Sequence, residues 1–169
     1  MARIVYLPRE INRALDKIAE SGRKAEGILF CEDLNCGSQN ACIEAFWVNL
    51  PYDADIQSRQ NREIADEFFR KNPSYWPIKF FTYPEKFERV GWICIRSREF
   101  NEIEKEVKNN NSVAMAITPT MKWLIGRDNP RLMIIESPVG YKEKNRIIMR
   151  GLQQIAENRG LGMGINIQL

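Results

Sequence analysis

The alternation of helical and extended patterns along the 169 residues predicts an α/β (α+β) protein, a mixed β-sheet with flanking helices. Three observations predict it. Apolar residues recur at helical spacing in four separate segments, and short apolar runs bounded by turn residues lie between them. One run, residues 113–118, is almost continuously apolar, as in a strand buried on both faces. Hydrophobic residues make up 44% and charged residues 28%, a balance that excludes a disordered chain and suits one domain over residues 1–169.

An extended start at residues 4–7 leads to Pro8, which suits a first helical turn. Ile11, Ala14, Leu15, Ile18 and Ala19 then share one helix face, which Gly22 ends. Residues 26–32 and 42–50 read as a hairpin around a turn-rich loop, with Pro51 closing the second strand. Over residues 58–71 the pattern is helical again: Ile64, Ala65, Phe68 and Phe69 are apolar, and Arg59/Glu63, Arg62/Asp66 and Glu67/Lys71 are spaced to pair at i,i+4.

The aromatic stretch that follows, residues 75–84, contains Pro77 and Pro84, so it is expected to form at most a short edge strand. Residues 90–96 are a clearer strand. Ser97 caps a helix striped by Phe100, Ile103 and Val107. After residues 113–118 and a Pro119-Thr120 turn, residues 121–125 and 132–135 suggest a second hairpin. A closing helix at residues 141–158 packs Ile148, Leu152, Ile155 and Ala156, with Gly160 as its stop, and Met163, Ile165, Ile167 and Leu169 alternate as a terminal strand.

What is missing constrains the chemistry. The chain has no histidine, so no metal site or acid/base step can use imidazole. Cys31, Cys36, Cys42 and Cys94 match neither a zinc-ribbon spacing nor a dense disulfide framework; Cys31, Cys42 and Cys94 read as small buried hydrophobes on strands. No phosphate-cradling glycine loop or nucleophile elbow is present, so no cofactor is expected.

No apolar run approaches the roughly 18 residues of a membrane span, and the first residues lack a secretory pattern, so a cytoplasmic protein is expected. The net charge of +3 is spread thinly: residues 85–169 hold 14 Lys+Arg against 10 Asp+Glu, residues 1–84 hold 11 against 12. That footprint argues for at most weak nucleic-acid association. Lys142, Lys144, Arg146 and Arg150 read as the solvated face of the last helix.

Three segments together resemble the JAMM/MPN domain, the fold of zinc-dependent isopeptidases and their metal-free scaffold relatives. Lys24-Ala25-Glu26-Gly27-Ile28-Leu29-Phe30 is similar to the family's glutamate-bearing strand, and Val90-Gly91-Trp92-Ile93-Cys94-Ile95-Arg96 to its Val-Gly-Trp-Tyr-His-Ser-His strand. Ser97-Arg98-Glu99-Phe100 resembles the Ser-x-x-Asp that opens the next helix. The resemblance implies a cytidine-deaminase-like architecture and places relic site positions at Glu26, Cys94, Arg96, Ser97 and Phe100. A second alignment sets the His-Ser-His-Pro motif on Phe81-Thr82-Tyr83-Pro84.

Neither alignment restores a ligand. Zinc hydrolysis needs about three protein ligands and an open position for an acidified water, so the resemblance implies a catalytically silent member that binds a protein partner, with a homo-oligomer left open. The alternatives are an enzyme with a non-zinc, hydrolase-like site, using Glu26 with Cys94, and a nucleic-acid-associated module. The prolines and aromatics of residues 73–89 point to a docking surface at Trp76, Phe81 and Tyr83.

Overall fold

The computed structural model describes residues 4–22, 25–34, 40–49, 55–82, 105, 107–109, 112–117, 122–126, 133–137 and 142–161. In chain order these form β1 (Ile4–Pro8), α1 (Arg9–Glu20), β2 (Glu26–Glu32), β3 (Asn40–Asn49), α2 (Asp55–Lys71), β4 (Tyr75–Thr82), β5 (Val113–Ile117), β6 (Lys122–Gly126), β7 (Met133–Ser137) and α3 (Lys142–Asn158). The strands make one sheet in the order β6-β5-β4-β2-β3-β1-β7. β2 pairs antiparallel with β3 and β4, β5 antiparallel with β6, and β1 runs parallel to both β3 and β7. The expected mixed sheet with flanking helices is therefore present.

Alternation along the central strands sorts side chains into two cores. Leu29, Cys31, Ile78, Phe80 and Met115 face α1, where Ile11, Leu15 and Ala19 complete the first core. Ile28, Phe30 and Ala45 face the other way and meet Ile64, Ala65 and Phe68 of α2 and Ile148, Leu152, Ile155 and Ala156 of α3. Each fully buried large side chain contributes about 1.5–3 kcal/mol. The sheet curls around α1, so that the edge strands β6 and β7 approach each other and Lys122 of β6 bonds Asp16 of α1. Gly22 and Gly160, with φ of +73° and +67°, end α1 and α3 as expected of left-handed stops.

The aromatic stretch departs from expectation. β4 is an eight-residue interior strand, paired on one side with β2 and on the other, in parallel, with β5. Its tolerance of Pro77 has a geometric cause. The Thr82 N–H donates to Ala25 O and the Asp33 N–H to Ser74 O, which makes the even-numbered residues of β4 those that bond β2. Pro77, opposite Phe30, is out of phase with them, so its missing N–H points toward β5, whose pairing starts only at Ile78.

Three other expectations change. β6 and β7 are not a hairpin: among the described residues they stand at opposite ends of the strand order, β6 on the buried β5 and β7 on β1. Of the i,i+4 pairs on α2, Lys71 meets Glu67 at 3.8 Å, whereas Arg62 and Glu63 reach off the helix to Glu26 and Arg159. Cys31 is buried but Cys42 is exposed, because its side chain lies on the outer face before α3 begins to cover β3. The expected strands at residues 90–96 and 163–169, and Cys36 and Cys94, lie outside the described residues. Among the described residues no helix is long and apolar enough to cross a membrane.

Candidate functional site

The outer face, under α2 and α3, carries two carboxylate centres at opposite ends of β2. The first is at Glu26. The β2/β4 register sets Glu26 opposite Phe81 and Ile28 opposite Lys79, so that these four side chains share a face. Thr82, next to Phe81, points to the other face and clamps the strand ends: the Ala25 N–H donates to Thr82 Oγ1 at 2.7 Å, and the Thr82 hydroxyl donates to Ala25 O at 3.2 Å. α2 lays Arg62 across this corner, and its Nη2 donates to Glu26 Oε1 at 2.8 Å. Glu26, Gly27, Ile28, Arg62, Asp66, Lys79 and Phe81 enclose an open cavity of about 240 Å³.

The corner combines two cations and two carboxylates with an apolar floor of Ile28 and half-buried Phe81. The donor set does not fit a zinc ion, since Phe81 offers no lone pair and the guanidinium of Arg62 already sits on the carboxylate a metal would need. Among the described residues no group of three or more His, Cys, Asp or Glu is placed to hold a metal.

The second centre begins with a β-bulge. Phe30 pairs with Ala45 and Cys31 with Ile43, so Glu44 is the extra residue of β3, turned inward at 5% exposure. Tyr75 at the start of β4 donates its hydroxyl to Glu44 Oε2 at 2.8 Å. Lys144, in the first turn of α3, donates to Glu44 Oε1 and Glu32 Oε2, both at 2.8 Å. Burial and the neighbouring Glu32 push the Glu44 carboxyl above its ordinary range, whereas the hydrogen bond with Glu44 and the Lys144 ammonium hold Glu32 below it. Burial and the Glu44 carboxylate raise the Tyr75 hydroxyl, burial raises the Cys31 thiol, and partial desolvation with the Glu44 carboxylate raises that of Cys42, which makes both thiols poor nucleophiles.

Of the residues singled out from the sequence, Glu26 and Phe81 are brought together, and Trp76 is not. Trp76 lies at the far end of β4, half-buried, with its side chain on the α1 side against the first core. Tyr83, Cys94, Arg96, Ser97 and Phe100 lie outside the described residues. Sequence reasoning missed Arg62 as the partner of Glu26, because i,i+4 spacing on α2 suggested Asp66 instead. Lys144 lies on the solvated face of α3 as expected, but its surface-like spacing gave no sign that it bonds two carboxylates. An acidic residue at 44, among apolar neighbours on a strand, was the one signal of the bulge centre. In comparisons with protein-family models and with curated proteins, the chain matches none.

Proposed function

We propose that the chain is a JAMM/MPN-like domain that has exchanged metal chemistry for protein binding, with the Glu26 corner as part of its docking surface. The observation that carries this reading is the register of Glu26 opposite Phe81, with Arg62 on the carboxylate. It favours the alignment that sets Phe81-Thr82-Tyr83-Pro84 on the His-Ser-His-Pro motif, because this pairing brings the glutamate and the degenerate ligand strand side by side. On that alignment an aromatic ring replaces the first ligand and an arginine supplies the local positive charge. The corner can then hold no activated water, and it offers a half-buried aromatic ringed by Arg62, Asp66 and Lys79, the make-up of an interface anchor with a polar rim.

The test has two arms on the full chain. Titration with zinc chloride in a calorimeter should show no stoichiometric site, and an isopeptide-linked substrate should stay intact in its presence; tight 1:1 zinc binding or cleavage overturns the reading. In the second arm, a partner recovered at stoichiometric amounts from native lysate should be lost with Phe81→Asp while folding is kept. Retention of that partner by Phe81→Asp removes the corner from the interface.

A further inference from the structure

The bulge centre lies apart from the Glu26 corner, and its geometry points to a device of its own. We propose that Glu32, Glu44 and Lys144 form a proton-dependent latch that ties the first turns of α3 to the sheet and holds tightest when the carboxyl pair carries a single proton. One ammonium is shared by two carboxyl groups at equal distances of 2.8 Å. With both ionised, two negative charges face one positive charge, and Glu44 is almost fully buried. With one proton on the pair, a neutral carboxyl donates to its ionised neighbour and a single negative charge faces the single positive one. With two protons, Lys144 has no anion to hold and the latch opens.

Among the described residues, the groups around the pair contribute few other charges. Tyr75 from β4 donates to Glu44 and stays protonated; Cys42 and Cys31 stay as thiols; Asp33, after β2, adds a negative charge beside both. From α2 the ring of Phe68 stands 5.7 Å from that of Tyr75. Lys144 is the cation at the centre, and its ammonium bridges α3 to Glu32 of β2 and Glu44 of β3. Beyond it α3 is held by Ile148, Leu152 and Ile155 in the second core, so opening the latch frees the first turns without unfolding the helix.

The sign follows from linkage. Glu44, raised, contributes stability below its unfolded pKa that is lost as pH rises through its folded value; Glu32, lowered, contributes stability above its unfolded pKa that is lost as pH falls through its folded value. Protection of the α3 backbone should therefore peak in the weakly acidic window between the two. The experiment is amide hydrogen exchange at residues 146–150, corrected for intrinsic rates, from about pH 3.5 to pH 8. Protection should fall on both sides of a maximum, by up to about tenfold per unit of pKa shift. Glu44→Gln keeps a neutral donor at all pH values, so it should abolish the alkaline fall and keep the acid one. A flat wild-type profile, or an alkaline fall that survives in Glu44→Gln, overturns the latch. Should Glu44→Gln fail to fold, Glu32→Gln at the more exposed position should move the alkaline fall to lower pH, and an unmoved fall overturns it equally.

Discussion

Glu26 and Glu44 are both glutamates on the outer face, and each accepts a bond from a basic side chain at 2.8 Å, yet the surroundings make them different objects. At the corner, the Glu26 and Arg62 side chains are 36% and 59% exposed, and water competes for both. At the bulge, the side chain of Glu44 is 7% exposed, and its carboxylate has given up nearly all of its hydration. Two pairs with the same distance therefore carry different weight. The exposed one contributes about 0–1 kcal/mol and is available to be exchanged for a partner's charge. The buried one adds little net stability while intact but is costly to break, because one unpaired charge is left inside.

The largest effect that sharpens this contrast is expected from Lys144→Met. It should destabilise the fold by about 2–3 kcal/mol at neutral pH in urea unfolding, less than for a fully buried pair because Lys144 is 55% exposed. The loss should shrink toward weakly acidic pH, where Glu44, with its raised pKa, takes up a proton and the missing cation leaves one carboxylate unpaired instead of two. A loss that is the same at both pH values would break the contrast.

Next come the two aromatics at the ends of β4. Trp76→Ala should cost about 2 kcal/mol, since half of a large side chain leaves the first core. Phe81→Ala, on the open corner, should cost about 1 kcal/mol and weaken partner binding instead. Equal losses of about 3 kcal/mol or more in both would mean that the whole of β4 is structural and no docking surface lies on it. Smallest of all, Arg62→Met should shift stability by no more than about 1 kcal/mol in the same denaturation experiment, and the shift should fade in high salt.

Much of the fold was legible because local patterns and tertiary packing agree. The α1 stripe of Ile11, Leu15 and Ala19 is the buried stripe, and residues 113–117 are buried on both faces as their unbroken apolar run implied. β4 was misread for a physical reason. A proline forbids a strand only where its absent N–H would meet a partner, and that depends on hydrogen-bond phase, which is set by the strands next to it. The pairing of β7 with β1 failed in the same way: a turn signal such as Gly126-Arg127-Asp128-Asn129-Pro130 reports that the chain changes direction, but not which strand it then meets.

At the site the division is sharper. Composition alone removed imidazole chemistry, since a residue type that is absent cannot be supplied by any fold. Sequence also placed Glu26 at a strand start and Phe81 in an aromatic run. That these two stand opposite each other, that Arg62 leaves its own helix to reach Glu26, and that Glu44 turns inward to a lysine 100 residues away are consequences of register, of a bulge and of helix docking. Such contacts are decided by the whole sheet: side-chain direction alternates with every residue, so a single extra residue in β3 changes which face a carboxylate occupies and which charges it meets.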